Sequence, residues 1–266
     1  VMIIAVDIGN SDVVLGLVKD SNTLQSWRLH TSIHQSVDEY EILVRGMLFA
    51  CDFSLEEAQG AVLSSVVPEL TEVFTILLEN LIGKPPILVS HECNLGIEIN
   101  TDTPAKVGQD RLINASAAYQ QYKTSLIIID CGTATTLDVV TADGVFQGGV
   151  ICPGLLISAD VLFTKAAQLF QVNLEMPEYV IGKNTTDSLK SGLIYGYGGM
   201  IDSLIKRITN EIEQQGQPTP TAVITGGLAA KLLPILSNVN YHDDLTLRGL
   251  YLFYLLNKNN TRGKRL

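Results

Sequence analysis

Residues 126–141 read LIIIDCGTATTLDVVT, and this stretch decides the fold. The β-branched run Leu126-Ile127-Ile128-Ile129 predicts a buried strand that delivers Asp130 to its end. Gly132 permits a sharp turn, after which Thr135 to Val140 leave as a second strand, and beyond Ala142-Asp143-Gly144 a third runs from Val145 to Ile151. The turn gathers one carboxylate, one glycine and the hydroxyls of Thr133, Thr135 and Thr136, more polar chemistry than a plain hairpin needs.

The chain opens on the same plan. Ile3 to Val6 predict a strand ending in Asp7-Ile8-Gly9-Asn10-Ser11, Val13 to Val18 return, and after Asp20-Ser21-Asn22 a third strand runs from Leu24 to Leu29. The two acidic turns begin 123 residues apart, a domain length, so duplication is the economical reading. Comparable elements follow each copy. In the first, Ser36 caps a helix to about Phe49, Ala61 to Val67 form a strand and Pro68 starts a helix through Leu81. Ile87 to Ser90 and Gly96 to Ile99 read as short strands, and Arg111 opens a helix over Leu112 to Tyr122. In the second, helices are expected over Leu155 to Leu169, Thr186 to Gln214, Leu228 to Leu236 and Thr246 to Leu256, with a strand over Thr221 to Thr225. The expectation is an α/β protein of two related domains, residues 1–122 and 123–266, facing a cleft.

Composition narrows the class. No apolar run in the 266 residues reaches the ~18 needed to span a membrane. The start, Val1-Met2-Ile3-Ile4-Ala5-Val6-Asp7, lacks the basic region of a signal peptide, so a cytoplasmic protein is expected. A net charge of −10 disfavours a nucleic-acid surface, and the basic residues Arg262, Lys264 and Arg265 read as a tail. The four cysteines are scattered without a CxxC pair, and His30 and His34 fall at a strand exit, so neither a zinc site nor a disulfide framework is expected.

The two acidic turns read as paired phosphate grips, since glycine lets backbone approach an anion and hydroxyl or amide side chains add donors. Asp7 and Asp130 would repel a triphosphate unless cations intervene, which predicts a nucleotide held with metal. Neither turn is a Walker loop or a Rossmann fingerprint. Gly226-Gly227, after a strand, offers either a surface for base or ribose or a plain helix-entry turn. Gly108-Gln109-Asp110-Arg111 joins acid and base at a helix start. There Asp110 can accept a substrate proton and Arg111 hold an anion, or the pair simply decorates the helix N-terminus.

In order, Asp7 to Ser11, Ser65-Val66-Val67-Pro68, Val107 to Arg111, Asp130 to Thr136, Gly148 to Gly154, Gly182 to Thr185 and Thr225-Gly226-Gly227 resemble the motifs of the type III pantothenate kinases. That family is a branch of the acetate kinase, sugar kinase, Hsp70 and actin superfamily. The resemblance implies two duplicated ribonuclease H-like domains flanking a nucleotide cleft, and ATP-dependent phosphorylation of pantothenate on the way to coenzyme A. It implies that Asp7, Ile8, Gly9, Asn10, Ser11, Asp12, Val13, Val14 and Thr133 bind ATP with Mg²⁺, and that Asp130 holds K⁺ or NH₄⁺. Gly108, Gln109, Asp110, Arg111 and Thr185 would bind pantothenate, with Asp110 as proton acceptor, in a homodimer built largely through second-domain helices. Thr101 stands where many members have tyrosine, and Gln109 where alanine is common. A sugar kinase or nucleotide phosphatase on the same fold, and a transcription accessory factor, are the rival readings.

Overall fold

β1 (Met2–Ile8) alternates its faces. Ile4, Val6 and Ile8 enter one core while Asp7, on the other face, stays half-buried at the strand end. The computed structural model describes residues 1–165 and 171–259. β2 (Asp12–Lys19) and β3 (Asn22–His30) continue antiparallel from β1. Ser36 then caps α1 (Val37–Ala50) through a capping box with Glu39. β4 (Ala61–Ser65) lies parallel to β1, and α2 (Pro68–Ile82) takes proline in its first turn and ends at Gly83 in the left-handed conformation. β5 (Ile87–Leu88), the two-residue β6 (Glu98–Ile99) and α3 (Gln109–Tyr122) follow. The first sheet has the order β3-β2-β1-β4-β5.

The second copy repeats this order. β7 (Leu126–Cys131), β8 (Ala134–Val140) and β9 (Val145–Pro153) are antiparallel; α4 (Leu155–Lys165) and the 30-residue α5 (Thr185–Gln214) follow. β10 (Thr221–Thr225), the short α6 (Ala229–Leu232) and β11 (Val239–Tyr241) complete the unit. Within it the strands run β9-β8-β7-β10-β11, with β10 and β11 parallel to β7. Even the irregularities match, because the pairing of second and third strands slips near Leu17/Val18 in one copy and Val139/Val140 in the other.

Two compact units result, Val1–Gln120 joined by the segment from Asp244, and Gln121–Asp243. The contiguous division at 122/123 therefore fails at the C-terminal end. The last helix, α7 (Leu245–Asn257), packs on β1, β2, β3 and β4 of the first unit. Tyr254 donates to the Gln59 carbonyl at 3.0 Å, and Asn257 Nδ2 to that of Asn94 at 2.8 Å. α7 is buried on most sides, and its apolar residues fill the sheet face opposite α1 and α2. Smaller departures have local causes. β4 stops at Ser65 because the Ser65 hydroxyl takes over hydrogen bonding with Val67, donating to its carbonyl and accepting from its N–H. The helix expected over Leu228 to Leu236 shortens to α6 and a 3₁₀ turn containing Pro234, which has no N–H to continue the ladder. The expected helix from Leu155 is described to Lys165; its remainder, and the basic tail, lie outside the described residues.

Candidate active site

The first acidic turn is closed from within. Gly9 N–H donates to the Asp12 carbonyl at 2.9 Å, so the outward donors of this turn belong to Asn10 and Ser11, both exposed. Ile8 and Val13 are fully buried in the core, which leaves only their backbone to contribute to a ligand; Val14 is half-buried. Asp12 pairs with Arg28 at 3.6 Å on the surface. A residue the sequence reading passed over secures the turn from β3. Thr31 N–H donates to the Ser11 carbonyl at 2.9 Å, and Thr31 Oγ1 to the Gly9 carbonyl at 2.7 Å.

β1, β4 and α3 bring the next residues to the same sheet end. Asp7 lies in register with Ser64, and Val66 N–H donates to the Ile8 carbonyl at 3.0 Å. The Ser64 hydroxyl is wholly buried, with no hydrogen-bond partner among the described residues. One residue on, Ser65 N–H donates to Gln109 Oε1 at 3.1 Å. Gln109, expected to touch substrate, thus gives its oxygen to the protein and ties the start of α3 to the end of β4. Asp110 folds back so that Oδ1 accepts from Arg111 N–H at 2.9 Å. That conformation requires Gly108, since a Cβ there would lie 2.5 Å from Asp110 Oδ1. One carboxylate oxygen is anchored on the backbone of its own helix start.

The second turn repeats the first with one residue fewer. Asp130 pairs with Thr136 across β7 and β8, as Asp7 pairs with Val14, and Gly132 N–H donates to the Ala134 carbonyl at 3.1 Å. Gly154 takes the place of Thr31, donating to the Thr133 carbonyl at 3.1 Å; a Cβ on it would strike the carbonyls of Thr133 and Gly132. Thr133 is exposed and Asp130 half-buried. Gly226, at φ 97°, lies against Asp130, where a Cβ would fall 2.5 Å from Oδ1 and 2.6 Å from the Cys131 N–H nitrogen. This glycine therefore acts as a spacer for the carboxylate. Cys131 points to the opposite, apolar face, where burial first and the Asp130 charge second push its thiol up to about 12. Among the described residues no three His, Cys, Asp or Glu side chains gather at one point. Asp130 offers one carboxylate, with Thr136 and Thr225 as its register partners on the neighbouring strands, and oxygen donors of this kind suit a hard cation.

Thr185 occupies the first position of α5, exposed, behind an Asn184 cap that accepts from Asp187 N–H at 2.9 Å. Within its unit it is not brought to the Asp130 turn. Tyr197, the α5 residue that touches that turn, comes twelve residues later, about 18 Å along the helix. Thr101, in the loop before Gly108, has a buried Oγ1 with no hydrogen-bond partner among the described residues. Two further features were not anticipated. Asp138 is a buried carboxylate, 1% exposed, accepting from Thr136 Oγ1 at 3.2 Å. His242 shares a 2.8 Å hydrogen bond with the Tyr122 hydroxyl.

The sequence profile of the type III pantothenate kinase family matches residues 3–207. The chain belongs to that family. It is 38% identical over 258 residues to the type III pantothenate kinase of Citrifermentans bemidjiense and 37% identical to that of Geobacter sulfurreducens, in each case covering 97% of this chain and all of the relative. Among solved structures, a Campylobacter jejuni protein described as a Baf family transcriptional activator superposes with a TM-score of 0.61 at 19% identity. The ROK hexokinase of Thermus thermophilus superposes with 0.50 at 13%. Each comparison covers 97% of this chain and all of the other. The structural likenesses show the fold, the duplicated actin-like fold of the sugar kinases; the sequence likeness shows the family, and the rival readings are not favoured.

Proposed function

We propose that the chain transfers the γ-phosphoryl group of ATP to the 4′-hydroxyl of pantothenate, releasing ADP and 4′-phosphopantothenate, the first step towards coenzyme A. The observation that carries this reading is the full-length identity of 37–38% to type III pantothenate kinases. The anchored carboxylate of Asp110 beside Arg111 gives it a chemistry. Phosphoryl transfer asks mainly for positioning and charge neutralisation, so a weak base suffices if it lies beside the hydroxyl. Asp110 orients that hydroxyl and accepts its proton as the oxygen attacks. Arg111, Gly108 and Thr185 contribute to pantothenate binding, and Gln109 positions the motif through Ser65. The turn from Asp7 to Val14 and Thr133 hold the ATP phosphates. Asp130 holds K⁺ or NH₄⁺, which together with the Mg²⁺ of ATP neutralises phosphate charge when bound.

The working form is a cytoplasmic homodimer with neither nucleic-acid nor membrane partner; among the described residues no helix is long and apolar enough to cross a membrane. Support for the dimer comes from α4 and α5. Leu156, Ile157, Val161 and Leu162 of α4 are exposed, as are Tyr179, Val180 and Ile181 before α5. Gly192, Gly196 and Gly199 line one exposed side of α5, with nothing among the described residues within 4 Å of the Cβ each lacks. Helix-interior glycines destabilise by roughly 0.5–1 kcal/mol each relative to alanine, a cost offset where a second backbone packs against them.

The test is ADP release by the purified protein with ATP, Mg²⁺ and K⁺, offered pantothenate or a panel of hexoses. Turnover with pantothenate alone is expected. Turnover with a hexose and none with pantothenate overturns the reading.

A further inference from the structure

Each acidic turn is secured by the residue that leaves the third strand of its copy, and each of those exit segments is secured in turn by a buried tyrosine hydroxyl. In the first copy, Thr31 holds Ser11 and Gly9, and the next residue, Ser32, is gripped by Tyr40. The Tyr40 hydroxyl accepts from Ser32 N–H at 3.0 Å and donates to the Ser32 carbonyl at 3.1 Å. Tyr40 is fully buried on α1, tilted against Phe74 at 4.7 Å. In the second copy, Gly154 holds Thr133, and the preceding residue, Pro153, is gripped by Tyr197 of α5 at 3.0 Å. The same hydroxyl lies 2.6 Å from Thr135 Oγ1. A carbonyl only accepts, so the phenol proton goes to Pro153 and the Thr135 proton to the phenol oxygen. Burial pushes the Tyr197 phenol above its usual value, which keeps that donor protonated at neutral pH.

The two tyrosines stand on helices of different length, yet each grips a residue adjoining the clamp of its turn, Ser32 after Thr31 and Pro153 before Gly154. We propose that Tyr40 and Tyr197 are positioning residues, one for each phosphate turn. Tyr40 fixes the Asp7 to Val14 turn through Ser32 and Thr31, and Tyr197 fixes the Asp130 and Thr133 turn through Pro153 and Thr135. This rests on the assignment of those turns to ATP and, for Asp130, to the monovalent cation.

The test uses Tyr40→Phe and Tyr197→Phe in the full chain, which keep both rings, with KM for ATP, KM for pantothenate, kcat and the K⁺ titration measured for each. Both variants lose the two hydrogen bonds of one buried hydroxyl and are expected to raise KM for ATP about tenfold, with KM for pantothenate little changed. Tyr197→Phe alone is expected to raise the K⁺ concentration for half activation several-fold, because only its turn carries Asp130. Thr135→Val removes the partner hydroxyl at constant shape and leaves the bond to Pro153, so it should show part of the Tyr197→Phe effect, the double variant being no worse than Tyr197→Phe alone. Should Tyr197→Phe not fold, Thr135→Val alone decides the second turn. A lowered melting temperature with unchanged KM for ATP and unchanged K⁺ response marks a merely structural hydroxyl and overturns the proposal, as does independent, multiplying loss in the Tyr197 and Thr135 pair. If Asp130→Ala leaves the K⁺ titration unchanged while Tyr197→Phe raises KM for ATP, the cation assignment fails and the positioning role stands.

Discussion

Gly108 sets where the Asp110 carboxylate lies, because the space a side chain would fill is occupied by Oδ1. Gly108→Ala is expected to push that carboxylate aside and lower kcat about tenfold or more at little cost in melting temperature. Asp110→Asn keeps the shape and removes the base; the expected fall in kcat is about 10²–10⁴-fold, the usual contribution of a positioned base. Affinity for a non-hydrolysable ATP analogue, read by calorimetry, should stay within about twofold, and a variant that keeps most of its kcat removes Asp110 from this role. At Asp130 the matching pair is Asp130→Ala and Gly226→Ala, both expected to weaken the K⁺ response in a titration of activity. Cys131 supplies a pH prediction. Its pKa is raised, so the thiolate that alkylating agents need forms only as pH approaches about 12. In native protein at pH 8, iodoacetamide should label exposed Cys51 and spare Cys131, as mass spectrometry of the digested protein would show. The two turn carboxylates, Asp7 and Asp130, stand out in the sequence because each ends an apolar strand with glycine two places on, a wholly local signal. Thr31, the Ser65 to Gln109 bond and the Tyr122 to His242 pair do not, since their partners lie 22, 44 and 120 residues away and no local pattern records them.

At the scale of elements, signals that terminate or cap were reliable and signals of destination were not. Ser36 with Glu39 three residues on announced α1, and both halves of the capping box form, Glu39 Oε2 accepting from Ser36 N–H at 2.7 Å. The Ser36 hydroxyl and backbone bonds hold the Glu39 carboxyl below its usual range. Ser36→Ala should therefore destabilise by about 1 kcal/mol, the usual worth of such a cap, and lower the melting temperature by about 2–4 °C in a calorimetric scan. α7 shows the opposite case. Its sequence, LTLRGLYLFYLLN, predicts a helix without saying where it packs, and an apolar helix after the second copy was naturally counted with that copy. Packing, which buries Leu247, Leu250 and Phe253 together with the first sheet, decided otherwise. β11, three residues long and polar at its centre, carried no periodicity from which to be read; its pairing with β10 defines it.

At the scale of the whole molecule the duplication explains more than the likeness of two motifs. Strand order, the direction of every pairing within each five-strand set, the internal closure of each glycine turn and its clamp from the third strand recur in both copies. They diverge where chemistry differs: one turn is a residue longer, and one clamp is a threonine and the other a glycine. α5 is the largest addition to the second copy, and its glycine side gives the decisive test of assembly. In an isolated protomer Gly196→Leu fills open space and replaces a poor helix former by a good one, so it should leave mass unchanged and raise the melting temperature. If two copies meet along Gly192, Gly196 and Gly199, the same leucine forces the backbones apart. Light scattering on the wild-type protein is expected to give twice 28.9 kDa and the variant a single chain's mass, with the exposed apolar side chains of α4 then binding a hydrophobic dye. A Gly196→Leu protein that stays dimeric moves the interface off this side of α5. A wild-type protein of one chain's mass removes the dimer altogether, and would leave the glycines of α5 as an uncompensated loss of helix stability.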